Sequence, residues 1–255
     1  VYSMITNLEN WGDIPVFHIS KENFTNNAPV VFFLHGFESA KEHNLHYAYQ
    51  LVNKGCRVIM PDAHLHGDRD IELDQIQISL RFWEIVLTSI EELGKLKKEL
   101  NTRGYDNGQK IGLAGTSMGG ITTLGCLTAY PWIDAAAIMM GTPGYVNLAK
   151  DQMTLVEQRG FKIPMNEEEK KKMFDTLSIF DASKQLEKLE NKPLFFWHGM
   201  KDEVVPFAPT NKFVEDLIEQ YGDAQIEFMK EKSVGHAVSR KGMLRSTEWL
   251  ANRLA

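Results

Sequence analysis

One serine of this 255-residue chain stands in a pattern that would let it act as a nucleophile. Ser117 lies at the centre of Gly115-Thr116-Ser117-Met118-Gly119, which has the form G-x-S-x-G. The motif follows the apolar run Ile111–Ala114 and opens an amphipathic segment that continues through Leu127. A strand, a sharp turn and a helix in this order form a nucleophile elbow, where flanking glycines leave room for a strained turn. The pattern predicts that Ser117 is raised above a sheet at the positive end of a helix.

A serine hydroxyl near neutral pH needs a base within hydrogen-bond reach, and the base needs an acid that orients it. Of the eight histidines, His236 follows the last strand-like run, Ile226–Met229, and Asp202 follows the run before it, Leu194–Trp197. The order serine, acid, histidine along the chain is typical of nucleophile elbows on parallel sheets. We therefore predict His236 as the base and Asp202 as its acid, with the adjacent Glu203 as the alternative acid.

The oxygen that gains negative charge during attack on a carbonyl needs fixed hydrogen-bond donors, and backbone N–H groups can supply them. Met118, directly after the nucleophile, is expected to provide one. The second is expected from the loop His35-Gly36-Phe37-Glu38-Ser39, which follows the first predicted parallel strand. Gly36 permits a close approach, so we predict the N–H of Phe37 as this donor and His35 as a brace for the loop.

The elements that would position these groups alternate between short apolar runs and longer amphipathic segments. The strand-like runs are Val30–Leu34, Cys56–Met60, Ile111–Ala114, Ala135–Met140, Leu194–Trp197 and Ile226–Met229. The first five are apolar runs of the form expected of strands that are buried on both faces, whereas Ile226–Met229 is more alternating and suits an edge strand. The order predicts a mostly parallel α/β sheet covered by helices on both faces, with an antiparallel strand over Ile14–Ile19 at its start.

Two helical stripes are distinct enough for their ends to be predicted. Apolar residues recur at helical spacing from Ile78 to Leu100, in a segment that breaks before Gly104. A second stripe is expected to open at Pro209 and to close at Gly222. Both helices would connect successive strands of the sheet.

The stretch from Gly144 to Leu189 contains no strand-like run and is predicted to be a small helical cap within a single domain of residues 1–255. Asn166 is the expected N-cap of a helix whose charged residues, Glu167–Lys172, form a solvated face. The insert begins where a strand ends, so we expect it to cover Ser117. A closed acyl pocket that prefers short acyl chains, from acetyl to about hexanoyl, is predicted from its apolar residues, among them Tyr145, Leu148, Met153, Leu155, Phe161, Met165, Met173 and Phe174.

Taken together, these motifs resemble bacterial carboxylesterases in the dienelactone-hydrolase-like and prolyl-oligopeptidase-like branch of the α/β-hydrolases. The segments that carry the resemblance are His35–Phe37, Arg57–Asp62, Gly115–Gly119, Met139–Gly141, Trp197–Gly199, Asp202–Pro206 and Gly235–His236. The resemblance covers nearly the whole chain and implies an α/β-hydrolase fold and the hydrolysis of small carboxylic esters without a cofactor. Dienelactone hydrolases proper use cysteine where this chain has Ser117, and the short segment before Val30 leaves no room for the propeller of the peptidase branch. Thioesterase, deacetylase and peptidase activities through the same three residues remain alternatives.

A zinc metallohydrolase is an alternative from another class. His64-Leu65-His66-Gly67-Asp68 has the form His-x-His-x-Asp, which resembles the start of a zinc motif. That motif continues with histidine, whereas this chain has Arg69, so no metal site is predicted. We expect Asp62 and His66 to brace backbone beside the active site instead.

Composition excludes several other classes. The chain is 43% hydrophobic and 24% charged, as in globular proteins, and its net charge of −6 without a basic patch argues against nucleic-acid binding. No run approaches the ~20 apolar residues of a membrane span. Cys56 and Cys126 are expected to be reduced and buried, which favours a cytoplasmic location, although the start at Val1 leaves room for a removed leader. The expected partner is a small-molecule ester, and no oligomeric state is predicted.

Overall fold

The continuous apolar runs form the inner strands of one eight-stranded sheet in the computed structural model, which describes residues 2–255. The strands are β1 (Met4–Trp11), β2 (Ile14–Lys21), β3 (Val30–Leu34), β4 (Arg57–Pro61), β5 (Ile111–Thr116), β6 (Ala135–Met139), β7 (Leu194–Gly199) and β8 (Ile226–Glu231). Their order across the sheet is β1-β2-β4-β3-β5-β6-β7-β8. β2 is antiparallel to β1 and β4, and every other pair is parallel. The mostly parallel sheet predicted from the sequence is confirmed.

Helices cover both faces of this sheet, because successive side chains of a strand point to opposite sides. The helices are α1 (Leu45–Asn53), α2 (Gln75–Leu80), α3 (Phe82–Thr102), α4 (Met118–Ala129), α5 (Tyr145–Gln158), α6 (Glu167–Phe180), α7 (Phe207–Tyr221) and α8 (Arg240–Leu254). In β3, Phe32 joins a core cluster that includes residues of α3 and α4, whereas Phe33 joins a second cluster with residues of α1 and α8. Every residue of β3 to β7 is buried, as expected between two helical layers.

Three elements differ from their predicted form. The edge strand β1 was not predicted, because most of its residues are exposed and its apolar residues are interrupted by polar ones, so it lacks the continuous apolar run of the inner strands. The long helix expected over Ile78–Leu100 is two helices, α2 and α3, since the backbone leaves the helical conformation at Arg81 (φ −97°, ψ 7°). Helix α7 begins at Phe207, and Pro209 lies in its first turn, where a proline removes no intrahelical hydrogen bond.

The segment between β6 and β7 consists of α5, α6 and two short 3₁₀ turns that end at Leu189. Asn166 caps α6 as predicted: its side chain accepts the N–H of Glu169, and the Glu169 carboxylate accepts the N–H of Asn166. Leu177 is the one buried residue of α6, so most of this helix faces solvent.

Two further sequence features can be compared with the structure. Cys56 and Cys126 are both free thiols and both buried. Among residues 2–255, no helix is at once long enough and apolar enough to cross a bilayer.

Candidate active site

Ser117 occupies the single-residue turn between β5, which ends at Thr116, and α4, which begins at Met118. Its backbone has φ 52° and ψ −116°, a region that non-glycine residues rarely adopt. The neighbouring glycines make this turn sterically feasible. A Cβ on Gly115 would overlap the carbonyl of Gly119, and a Cβ on Gly119 would overlap the carbonyl of Leu34. The predicted strand–turn–helix geometry around Ser117 is therefore present.

The structure brings Ser117, His236 and Asp202 into one hydrogen-bonded chain, although they lie far apart in the sequence. The Ser117 Oγ is 2.8 Å from His236 Nε2, and His236 Nδ1 is 2.8 Å from the Oδ2 of Asp202. The other oxygen of Asp202 accepts the N–H groups of Val204 and Val205, each at 2.9 Å. These three hydrogen bonds hold the carboxylate in one orientation toward the imidazole. Glu203, the alternative acid, is exposed.

The Asp202 carboxylate is held in its charged form. Burial alone would raise the pKa of this carboxyl, but the imidazoles of His198 and His236 and the N–H of Val205 outweigh burial and hold the pKa well below its usual range. A charged carboxylate accepts the proton on His236 Nδ1, which leaves Nε2 free to accept the serine proton. His198, fully buried beside this group, donates from Nε2 to the carbonyl of Val205 at 2.8 Å and lies 3.4 Å from Asp202 Oδ2.

The loop predicted to supply a second backbone donor lies directly beside the serine. A methyl group on Gly36 would stand 3.5 Å from the Ser117 Cβ, so the loop backbone and the elbow approach closely. Phe37 and Met118, the two predicted oxyanion-hole residues, border the same pocket as Ser117. Both predicted residues thus lie in the wall of the pocket that contains Ser117.

The His64–Asp68 stretch, considered above as a zinc motif, forms hydrogen bonds that brace the 35–39 loop. His66 accepts the N–H of Glu38 and donates to the carbonyl of His64, and Asp68 accepts a hydrogen bond from the ammonium group of Lys41. The side chains of the motif therefore contact different partners. Within the described part of the chain, no group of three or more His, Cys, Asp and Glu side chains is arranged to hold a metal ion.

Lys41 is the centre of that brace and was not predicted. Its side chain is fully buried, and its Nζ lies 2.6 Å from Asp62 Oδ2 and 2.8 Å from Asp68 Oδ2. Burial alone would lower the pKa of Lys41, but these carboxylates, together with Glu42, outweigh burial and raise it. Asp62 also accepts the Lys41 backbone N–H, so one buried ion pair links the two loops. No sequence motif marks a lysine for this role, because the partners meet only in the folded chain.

An apolar pocket of about 390 Å³ opens above Ser117 between the body of the protein and the 144–189 segment. From the body it is lined by Phe37, Phe82, Trp83 and Ile121, and from the insert by Leu148, Met153, Leu155, Met165 and Met173. Its only large polar wall residue from the insert is Gln152, whose Oε1 accepts the indole N–H of Trp83 at 2.9 Å. Trp83 directly follows Phe82 of the predicted helical stripe, but no sequence signal pairs it with Gln152.

The pocket is open rather than closed, which corrects the sequence-based expectation. Leu80, Leu155 and Val204 belong to its lining and are 51%, 47% and 65% exposed, so they form a mouth toward solvent. Three apolar insert residues expected at the pocket do not line it: Tyr145 is buried against α4, Phe161 is exposed, and Phe174 packs against the core cluster. The insert borders the site along one side and leaves another side open.

Comparisons with known proteins agree with this geometry. The sequence profile of the prolyl oligopeptidase family matches residues 88–255. The chain is 46% identical to "Putative esterase YitV" of Bacillus subtilis (strain 168) over 94% of its own length and 96% of that protein. It is 29% identical to "Esterase YjfP" of Escherichia coli (strain K12), over 91% and 92% of the two chains.

A solved structure of similar size has the same fold. The crystal structure of TT1662 from Thermus thermophilus superimposes with a TM-score of 0.77, covering 99% of this chain and 98% of that one at 20% sequence identity. The α/β-hydrolase fold predicted from the sequence is confirmed. With this fold, with the family profile across its C-terminal two thirds, and with a relative of 46% identity over nearly its whole length, the chain belongs to the prolyl oligopeptidase family of serine hydrolases.

Proposed function

We propose that this protein is a serine carboxylesterase that hydrolyses small, short-acyl carboxylic esters through an acyl-enzyme intermediate. The observation that carries the proposal is the chain of 2.8 Å contacts from Ser117 Oγ through His236 to Asp202, set in the floor of an apolar pocket. Both curated relatives named above carry the word esterase in their names, which supports the same activity here.

In the first half of the reaction, Ser117 Oγ attacks the ester carbonyl carbon while His236 Nε2 takes the hydroxyl proton. The carbonyl oxygen becomes an oxyanion, and the N–H groups of Phe37 and Met118 donate to it. Asp202 stabilises the imidazolium that forms. When the carbonyl re-forms, the bond to the alcohol oxygen breaks, and the proton on Nε2 passes to that oxygen.

In the second half, a water molecule replaces the alcohol. His236 takes a proton from the water as its oxygen attacks the acyl carbon, and a second oxyanion forms at the same two backbone donors. The bond to Ser117 Oγ then breaks, the serine regains its proton from His236, and the carboxylic acid leaves. Every proton transfer uses the same imidazole, so these three side chains complete the cycle without a cofactor.

The preference for short acyl groups is part of the proposal and is attributed to the 144–189 segment, acting as a cap in an otherwise single domain. Its three methionines contribute to one wall of the pocket, and their flexible side chains can adapt to small apolar groups. Each added methylene gains at most about 0.8 kcal/mol while space remains and then loses by collision. The proposal includes a cytoplasmic location, which the free cysteines Cys56 and Cys126 favour.

A substrate screen tests the activity. Nitrophenyl esters of increasing acyl length, a thioester and an aminoacyl anilide are compared at equal concentration, before and after dialysis against a strong chelator. We expect the short esters to be hydrolysed best and the chelator to have no effect. If the thioester or the anilide is hydrolysed fastest, thioesterase or peptidase activity replaces the proposed one. A loss of activity on dialysis that added zinc restores would favour the metallohydrolase.

Covalent labelling tests the nucleophile separately. A fluorophosphonate probe forms a stable adduct with an activated serine, and peptide mass spectrometry locates that adduct. We expect it on the peptide that contains Ser117, with no labelling after the protein is unfolded first. An adduct on another residue would contradict the assignment of the nucleophile.

A further inference from the structure

His35 makes two hydrogen bonds that together determine its protonation state. Its Nε2 accepts the backbone N–H of Ala63 at 3.0 Å, and its Nδ1 lies 2.7 Å from the carbonyl oxygen of Gly36. A backbone N–H can only donate and a carbonyl can only accept, so Nε2 is unprotonated and Nδ1 carries the proton. His35 is therefore a neutral imidazole that donates to Gly36.

The Gly36 carbonyl shares a peptide plane with the N–H of Phe37. This peptide bond is trans, as are all peptide bonds among the described residues. In a trans peptide, the C=O and the N–H point in opposite directions within one rigid plane. The hydrogen bond from His35 Nδ1 to the Gly36 oxygen consequently fixes the direction of the Phe37 N–H.

That N–H is the donor proposed for the oxyanion, and its loop packs against the serine. The Gly36 Cα position lies beside Ser117, since a methyl group there would stand 3.5 Å from the Ser117 Cβ. We infer that His35 is a positioning residue of the oxyanion hole, whose Nδ1–H holds the Gly36 carbonyl and thereby aims the Phe37 N–H at the tetrahedral oxygen. This inference rests on the proposed function.

The surroundings of His35 keep it in the required state. The side chain is 2% exposed, and burial lowers its pKa to about 4. The Asp62 carboxylate lies 3.9 Å from Nε2 and is engaged with Lys41, and the ring of His66 lies 5.4 Å away. At neutral pH the imidazole therefore remains uncharged and can accept from Ala63 while it donates to Gly36.

His66 provides a matched comparison, because it contacts the 35–39 loop through Nε2 rather than through Nδ1. Its Nε2 accepts the N–H of Glu38 at 3.0 Å, and its Nδ1 donates to His64 within its own loop at 2.9 Å. Each histidine forms a hydrogen bond between the loop of residues 35–39 and the loop of residues 62–68. Only for His35 does the Nδ1 group contact the peptide of the oxyanion donor.

Asparagine and glutamine can separate these roles, since the asparagine amide reaches the place of an imidazole Nδ1 and the glutamine amide that of Nε2. The test measures kcat and KM of His35→Asn, His35→Gln, His66→Asn and His66→Gln on a short nitrophenyl ester. Removing one oxyanion donor typically costs about 10²–10³ in kcat. We expect His35→Gln to lose about 10²-fold in kcat with little change in KM, and His35→Asn to stay within about tenfold of wild type. For His66 the order should reverse, with His66→Gln the more active variant.

A second measurement follows the oxyanion directly. A trifluoromethyl ketone forms a tetrahedral adduct with the serine, so its affinity should fall in parallel with kcat across the four variants. A His35 that served only to brace the loop would show equal losses in His35→Asn and His35→Gln, in proportion to their melting temperatures.

Three outcomes contradict the positioning role: His35→Gln as active as His35→Asn or more so, a loss confined to KM, or ketone affinity that does not follow kcat. If His35→Gln does not fold, His35→Asn decides, and a loss beyond about tenfold overturns the inference. The wild-type rate in the same assay distinguishes a failure of the proposed function from a failure of the positioning role. Its absence contradicts the proposed function, whereas a normal wild-type rate with the wrong order of variants contradicts the positioning role alone.

Discussion

Helices α4 and α6 both border the region above the sheet, and they differ sharply in burial. In α4, which follows Ser117, 11 of 12 residues are buried. In α6, which belongs to the insert, one residue of 14 is buried. The proposed nucleophile thus begins the most enclosed helix, whereas part of the pocket wall, Met173, belongs to a helix that is largely exposed. Proton transfer requires positions fixed to a fraction of an ångström, whereas a pocket wall requires only apolar surface of suitable shape.

The start of the insert is hydrogen-bonded to the body, and the two ends of the insert are hydrogen-bonded to each other. At its start, the Tyr145 hydroxyl donates to the carbonyl of Ile121 at 2.5 Å and accepts the N–H of Gly125 at 3.1 Å, both in α4. Near its end, Asp181 accepts the N–H of Val146 at 3.0 Å and so ties the two ends together. Changes in the body should therefore alter the rate for every ester, and changes in the middle of the insert should alter the choice among esters.

The largest effect is expected from the serine. Ser117→Ala should lower kcat by several powers of ten for all acyl lengths alike, leaving the contribution of binding and of the oxyanion donors. Ser79→Ala is the control, because Ser79 borders the same pocket and is exposed. Rates are measured across the nitrophenyl ester series, with thermal unfolding to confirm the fold. An alanine variant that retains a substantial rate would end the assignment of Ser117.

The acid comes next. Asp202→Asn should lower kcat by about 10⁴, because an amide at this position favours the wrong tautomer of His236. Glu203→Gln is the matched control, and its exposed side chain should make it nearly silent. The two variants are compared at the pH at which the wild-type rate is highest. The reverse order of effects would transfer the role of the acid to Glu203.

Acid should destabilise the folded chain through His35, which lies in the body, whereas the insert contains no histidine. His35 has a pKa of about 4 when folded and 6.5 as its ordinary value, so the unfolded chain binds the extra proton between these limits. Its contribution is complete above pH 6.5, is lost as the pH falls to 4, and amounts to about 3 kcal/mol. Urea unfolding of wild type and His35→Asn from pH 7 to 4 measures it. Wild type should lose stability more steeply with falling pH, and parallel curves would refute the account.

The smallest effect concerns the insert wall. Met173 lines the pocket, so Met173→Ala should enlarge it and move the best acyl length upward by one or two methylenes, at about fourfold in kcat/KM per methylene. Phe161→Ala is the control, since Phe161 is 53% exposed and should leave the profile unchanged. If both variants keep the wild-type profile while remaining folded, the insert does not select the acyl group.

A residue's role could be predicted where it depends on neighbouring positions in the chain or on the order of the strands along the chain. The surroundings of Ser117 are contiguous in the chain, and the positions of Asp202 and His236 follow from the order of the last two strands. The roles of Lys41 and Trp83 could not be predicted, because each depends on a partner that only the folded chain brings near. The open mouth of the pocket was missed for a similar reason: apolar composition shows that a segment packs, but not how far it reaches across its neighbour.

The close approach of backbones at the elbow limits how this sequence can change over generations. A Cβ on Gly120 would stand 2.8 Å from the carbonyl of Met139, and one on Gly141 would stand 2.6 Å from the carbonyl carbon of Gly120. Alanine at these glycines would have to push β6 and α4 apart, whereas cysteine at position 117 would add no such collision. The reacting atom of this scaffold is consequently easier to exchange than the glycines around it, and new chemistry can arise here by changing the nucleophile while its frame stays constant.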